Sequence, residues 1–276
     1  MRCPGSPSAW KASWPVSIRA AWSRRLERAY PYLYLDATYL KVNWGSHVGD
    51  LAVLVAVGVS ATGFREVLAL ETYAGERAEA YRGLLKGLIQ RGLSGVSLVV
   101  SDDHESIQAA VRTELPGVAW QRCIVHFMRN VLSKVPQTER AQVAADLKSI
   151  FAVNRLEDAR ALAAAFCARW GKLFKGAVST LQAGLEAALC YLDFPSSHHR
   201  LIRSTNGLER LFEEVKRRTR VVRIFPNETS AANLSTAVAL RASEDWALRR
   251  YLDMEPYRAW KEIKEVGKTK PTTSQT

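Results

Sequence analysis

The chain has 276 residues, 47% of them hydrophobic, with 39 Lys and Arg against 27 Asp and Glu, a formal net charge of +12. Such a chain can bury a sizeable core, as one large domain or one domain with a substantial insertion, and its basic excess points to a polyanion, of which nucleic acid is the usual one. Four scattered cysteines (Cys3, Cys123, Cys167, Cys190) exclude a disulfide framework and suit a reducing cytosol, while the longest apolar run, "LAVLVAVGV" at 51–59, is about half a membrane span.

Residues 1–29 are expected to be a poorly ordered lead-in without an apolar secretory core. Strands follow at 32–42, 51–59 and 65–72, and the short glycine-bearing links "NWGS" and "SATG" favour antiparallel hairpins. A helix over 76–91 places Ala80, Leu84, Leu85 and Leu88 on one face, with Gly92 just beyond its end. The fourth strand, "VSLVVSD" at 96–102, is almost continuously apolar, the pattern of burial on both faces at the centre of a mixed or parallel sheet. A helix at 104–115 stops at Pro116-Gly117, and a fifth strand at 118–123 leads into a helix that ends at Pro136. Residues 138–192 are alanine-rich amphipathic helices with no strand signal. "PSSHHRLIRS" interrupts them before helices at 205–219 and 228–251 and a lysine-rich tail expected to fray.

The order βββαβαβα is that of the ribonuclease H-like α/β fold. On this reading the core comprises 30–136 and 201–252, the helical insertion 137–200, and the basic tail 253–276.

Three carboxylates stand out. Asp36 interrupts the apolar strand "YLYLDATYLKV", where an unpaired buried charge costs several kcal/mol. Asp102 ends the fourth strand, a neighbour of the first in such a sheet. Glu209 borders the stripe Leu208, Leu211 and Val215 of "STNGLERLFEEVKRR". At an effective dielectric near 20, each close pair of carboxylates repels by about 4 kcal/mol, so an ionised cluster requires cations. All-oxygen ligands select Mg²⁺ or Mn²⁺, and two such ions about 4 Å apart support phosphodiester cleavage or strand transfer. Taken singly, each residue has a plainer reading: a solvated or capping aspartate, or a helix glutamate paired with Arg210 or Lys216.

At these residues the sequence strongly resembles the Mutator-type transposases of the bacterial IS256 family. The matching segments are "YPYLYLDATYLKV", "VLVAVGV..TGFREVLALE", "RGLSGVSLVVSDDHESI", "WQRCIVHFMRNVLSKVP" and "STNGLERLFEEVKRRTRVVRIFPNE", spread over about residues 30–250. The resemblance implies a ribonuclease H-like catalytic domain whose metal ligands are Asp36, Asp102 and Glu209, with a helical insertion between the second and third. It implies two Mg²⁺ or Mn²⁺ ions, a Cys123-x2-His126 motif that helps shape the site and hold DNA ends, and metal-dependent cleavage and strand transfer at transposon ends. Its expected partners are transposon-end and target DNA, met by a homodimer or higher oligomer in a bacterial cytoplasm at the nucleoid. The alternatives are a truncated remnant that only binds DNA, or a structure-specific nuclease of the same fold.

Three positions depart from the family pattern. Only 35 residues precede Asp36, fewer than the relatives' N-terminal DNA-binding region needs, so a truncated copy is expected. Asp103 adds a second acid beside Asp102; adjacent strand residues face opposite sides, and Asp102 is the one chosen. Phe212 replaces a usual asparagine.

Secondary signals are Cys123 and His126 as half a zinc site completed by His198 and His199, and His104 as a phosphate contact or helix cap. Lys216, Arg217, Arg218, Arg220 and Arg223 are candidate phosphate contacts, and Trp170 either stacks on a displaced base or belongs to the core.

Overall fold

The computed structural model describes residues 22–74 and 78–269. Strands β1 (Tyr32–Asn43), β2 (Val48–Val59) and β3 (Arg65–Tyr73) form an antiparallel meander. β4 (Leu98–Ser101) then pairs parallel with β1, and β5 (Ala119–Arg122) parallel with β4. The order across the sheet is β3-β2-β1-β4-β5. The parallel joins need crossover connections, supplied by α1 (Ala78–Gln90) and α2 (Glu105–Glu114). β4, the continuous apolar run, is buried at every residue between its two neighbours. In the β2–β3 turn Gly63 has φ +87°, and a Cβ there would stand 2.0 Å from the Leu252 carbonyl, so the turn admits only glycine.

The alternation of side chains divides the core in two. Odd residues of β1, Leu33 and Leu35, pack with Leu54, Ala56 and Val99 against the leucines of α1 (Leu84, Leu85, Leu88) and against Ile107, Ala110 and Val111 of α2. Even residues, Tyr32, Tyr34, Leu40 and Val42, join a larger cluster on the opposite face with Leu98 and Val100. That face is covered by α3 (Ile124–Leu132) and by everything that follows it. The helical block is α4 (Arg140–Ile150), α5 (Leu156–Trp170) and α6 (Lys175–Leu189). Val143, Leu147, Phe166 and Leu181 of this block share one apolar cluster with the sheet. Two 3₁₀ turns (Cys190–Asp193, Ser196–His198) and α7 (His199–Ile202) lead to α8 (Asn206–Thr219) and α9 (Glu228–Ala247). Asn227 caps α9 by accepting a hydrogen bond from the Ser230 amide at 2.9 Å.

Two sequence expectations are corrected. As far as Thr269 the lysine-rich stretch does not fray, since Glu255–Thr269 forms α10; the rest of that tail, 270–276, lies outside the described residues. Its first turns are anchored by Tyr257, edge-on to Tyr32 at 5.5 Å, and by Trp260, stacked on Phe194 at 4.7 Å. One turn beyond Trp260 and on the same side, Lys264 pairs with Asp193 at 2.6 Å, the residue whose carbonyl accepts from the Trp260 ring. Of the lead-in, residues 1–21 lie outside the described residues, but 22–29 are held firmly. Leu26 is buried, its amide donates to the Arg91 carbonyl at 2.7 Å, and Ala29 bridges Ser94. No helix among the described residues is long and apolar enough to cross a membrane.

Candidate active site

Parallel pairing decides where the first two acids lie. Tyr34 stands opposite Val100, so two residues further along each chain Asp36 and Asp102 share one face of the sheet. Asp36 is held mid-strand and is 6% exposed; Asp102 follows directly after β4 and is half-buried. Asp36 Oδ1 accepts a hydrogen bond from the Ala37 amide at 2.9 Å. Burial, reinforced by the neighbouring Asp102 charge, raises the Asp36 carboxyl to about 7 against the pull of the Ala37 amide, His126 and Thr205.

The chain after β5 closes around this pair. The Cys123 amide donates to the Ser101 carbonyl at 2.7 Å, and the Ile124 amide donates to the Arg203 carbonyl at 3.0 Å. Cys123 Sγ accepts from the Thr205 amide at 3.4 Å and from its hydroxyl at 3.5 Å. The Thr205 side chain also reaches Asp36. Burial opposes ionisation of the Cys123 thiol, yet hydrogen bonds from His126 and Thr205 outweigh it and hold the thiol below its ordinary range. The hydrogen bond to Cys123, with the Cys123, Asp36 and Asp102 charges, raises His126 to about 9 despite burial, which favours the charged ring. The spacing of Cys123 and His126 brings both to the first turn of α3, on one side.

Thr205 is the residue from which α8 starts, and the Glu209 amide bonds its carbonyl at 3.3 Å. Leu208, Leu211 and Val215 are buried, as the stripe required, and Phe212 is buried with them. Glu209 is half-buried at the stripe's border, one turn from Thr205. The structure therefore gathers Asp36, Asp102, Cys123, His126 and Thr205, with Glu209 a turn away. Among the described residues no three Asp, Glu, His or Cys side chains are assembled as a ready metal cage. Beside the Cys123 thiol and the His126 ring, the converging donors include two carboxylates and a hydroxyl, oxygens of the kind a hard divalent cation takes. A carboxyl raised to about 7 by burial and a like charge is one that a cation would favour in its ionised form, so these oxygen donors fit such an ion.

Asp103 turns away from this group. Its Oδ2 meets Arg122 Nη2 at 2.7 Å and its Oδ1 accepts from Gln108 at 2.7 Å. Arg122 itself lies over the Phe127 ring at 4.3 Å.

The remaining candidates separate. His104 stands at the start of α2, where its side chain makes no cap bond and meets Ser106 Oγ at 2.5 Å. His198 donates from Nε2 to the Asp253 carbonyl at 2.7 Å and accepts the Tyr32 hydroxyl at 2.8 Å. His199 Nε2 donates to the Phe194 carbonyl at 2.8 Å. Both rings are thus engaged in the core, and burial holds both below their ordinary pKa, which removes them as partners of Cys123 in a zinc site. Of the two readings of Trp170 the core one fits its surroundings: it is 5% exposed, stacks on Phe174 and donates to Asp146 at 2.8 Å. Of the basic run, Lys216, Arg217, Arg218, Arg220 and Arg223 are all exposed, but Arg217 and Arg218 both bond Glu214, at 2.7 and 3.0 Å.

Sequence reasoning missed Thr205, whose signal was a threonine at the first position of the helix expected over 205–219, one residue ahead of the observed start. It also missed five arginines, at 65, 200, 210, 249 and 250, that line one cleft beside the start of α8. Their separation along the chain leaves no local signal except the Arg249-Arg250 pair.

A family model described as "Transposase, Mutator family" matches residues 8–248 of this chain. A transposase for insertion sequence element ISRM5 from Rhizobium meliloti is 40% identical over 248 residues, 90% of this chain and 62% of that protein. A transposase for IS256 in transposon Tn4001 from Staphylococcus aureus is 35% identical over 240 residues, 85% of this chain and 61% of that protein. This chain thus spans about three fifths of the length of the relatives it matches. Among solved structures, one described as a simian T-cell lymphotropic virus intasome with a PP2A regulatory subunit matches 48% of this chain and 52% of its own at 17% identity. Its TM-score of 0.26 is too low to bear on the fold.

Proposed function

This chain belongs to the Mutator family of transposases, and we propose that it is the catalytic part of such an enzyme, cutting and joining DNA strands at transposon ends on a ribonuclease H-like fold. The observation that carries the reading is the pairing of Asp36 with Asp102 on neighbouring parallel strands, with the start of the Glu209 helix bonded into the same corner. The sheet order β3-β2-β1-β4-β5, three antiparallel strands followed by two parallel ones, supports the fold assignment.

In this reading Asp36, Asp102 and Glu209 would hold Mg²⁺ or Mn²⁺, with two ions expected. When bound, such ions make a water or a DNA 3′-hydroxyl nucleophilic and stabilise the leaving oxygen. The chain's own part is placement and charge. Asp36 is mid-strand, opposite Val55 of β2, and that pairing fixes the backbone from which its carboxylate projects. Asp102 and Cys123 are held at the ends of β4 and β5, and the Cys123–Thr205 bonds tie the Glu209 helix to that edge. A charged His126 would offset part of the carboxylate charge. The partners are transposon-end and target DNA, met as a homodimer or higher oligomer.

The test is strand cleavage by purified protein with Mg²⁺ or Mn²⁺, using matched and scrambled transposon ends. Wild type should cut matched ends, whereas Asp36→Asn and Asp102→Asn should retain DNA without cutting it. Undiminished cutting by either variant would sink the triad, and equal cutting of scrambled ends would replace the transposase by a less selective nuclease.

A further inference from the structure

A cleft of about 1100 Å³ opens between the start of α8 and the end of α9. It is lined by Arg65, Arg200, Arg210, Arg249 and Arg250, against a single carboxylate, Asp245. Asp245 is itself within 3.9 Å of Arg241. Among the described residues none of the five guanidinium groups is ion-paired with a carboxylate. Five like charges facing one space raise the positive potential there and draw an anion toward it.

The cleft is pre-shaped. The Arg65 guanidinium is clamped between the rings of Trp246, at 3.9 Å, and Tyr251, at 4.6 Å. Gly207 leaves room for that clamp, since a Cβ there would lie 3.3 Å from Arg65 Nη1 and 3.4 Å from the Tyr251 hydroxyl. Asn206 and Gly207, the first residues of the 14-residue α8, line the same wall and add the positive end of a helix.

The cleft also adjoins the acidic corner. Ser204 and Asn206 line it, and Thr205 between them reaches Asp36. Tyr34, two residues before Asp36 on the same strand face, donates its hydroxyl to the Leu201 carbonyl at 3.2 Å, and Leu201 is again a cleft residue.

We propose that this arginine cleft is the track that grips consecutive phosphates of one DNA strand and leads it onto the Asp36–Asp102 edge, and that the basic run at 216–223 is secondary to it. Planar guanidinium forks match phosphate oxygens in pairs, and contacts of this kind are indifferent to base sequence. The proposal rests on the reading of the acidic corner as a site that acts on DNA.

The test is fluorescence anisotropy of a labelled single-stranded oligonucleotide on the full chain, in EDTA so that no cleavage occurs, across a salt series. Arg200→Ala with Arg249→Ala and Arg250→Ala removes three exposed cleft charges; Lys216→Ala with Arg217→Ala and Arg218→Ala removes the same charge from the helix end. The cleft variant should bind about 100-fold more weakly and lower the slope of log affinity against log salt by about two, as the loss of three phosphate contacts requires. The helix-end variant should change affinity less than about threefold. Unchanged thermal midpoints show that both variants fold. Wild-type affinity and slope in the cleft variant, or a larger loss in the helix-end variant, would overturn the proposal. Tight binding that depends on the cleft, in a wild-type protein that never cuts DNA, would leave the track standing and remove the catalytic reading instead.

Discussion

The two faces of the sheet are built from alternate residues of the same strands and have opposite characters. The face under α1 and α2 is apolar throughout, from Leu33 and Leu35 to Leu54 and Val99, and is closed by helices that lie next to those strands in sequence. The other face begins as apolar, with Tyr32 and Tyr34, then carries Asp36 buried in the same row. It is closed by segments drawn from residues 124 to 260. A shift of one residue in the β1 register would exchange Asp36 for a leucine or alanine, so a single pairing sets both stability and chemistry. Both faces bury apolar clusters, and only the second also places charges where folding alone would not favour them.

The sharpest break in this comparison is Asp36→Asn. It should reduce metal-dependent strand cleavage by about 10³-fold, the loss of several kcal/mol of cation-mediated stabilisation. It should also stabilise the protein. The Asp36 carboxyl is raised from 3.8 to about 7, so stability falls as pH rises from about 4 to about 7, while the unfolded chain gives up a proton that the folded one retains. Above pH 7 the penalty is complete and on the order of 4 kcal/mol. Urea unfolding at pH 5 and pH 8 should show wild type losing stability between them and Asp36→Asn losing less. Millimolar Mn²⁺ should restore part of the wild-type loss at pH 8 and none in the variant.

The opposite outcome is expected on the other face. Leu35→Ala removes a fully buried side chain and should cost about 2–5 kcal/mol in urea unfolding, while the DNA cut per folded molecule stays near wild type. A drop in cleavage larger than the drop in folded fraction would show that the faces are not separable.

Thr205→Ala lies between the two classes. It deletes the hydroxyl that bonds Cys123 and reaches Asp36 at the start of α8. We expect about 1 kcal/mol of lost stability and about a tenfold loss of cleavage, with DNA affinity unchanged. A variant matching wild type in cleavage would mean that the helix is positioned without this bond.

The smallest effect should come from Asp103→Asn. Its carboxylate is over a third exposed and serves Arg122 and Gln108, so stability should change by less than about 1 kcal/mol and cleavage by less than about threefold. A loss as deep as that of Asp36→Asn would make Asp103 the second acid.

Much of this was legible along the chain because periodicity survives in sequence. The β1–β3 meander, the doubly buried β4, the Ala80-Leu84-Leu85-Leu88 face and the Leu208-Leu211-Val215 stripe all appear where spacing placed them. Asp36 was legible as an anomaly, a charge inside an apolar alternation. Residues 255–269 misled because their lysines outnumber their anchors, yet Tyr257 and Trp260 dock the helix by burying large rings. Trp170 stayed open between two readings, since nothing local distinguishes a stacking platform from a core ring that bonds Asp146.

From its sequence alone, then, this protein determined its element order, its apolar faces and the identity of its out-of-place carboxylate, since each depends on residues within a few positions of one another. Tertiary structure decided which acid joins Asp36, what Thr205 and Cys123 tie together, and where unpaired positive charge collects. Those outcomes depend on parallel strand register and on segments up to about 180 residues apart, such as Arg65 and Arg250 across one cleft. Electrostatic energy varies with distance through space, and spacing along a chain carries no measure of that distance until the fold exists.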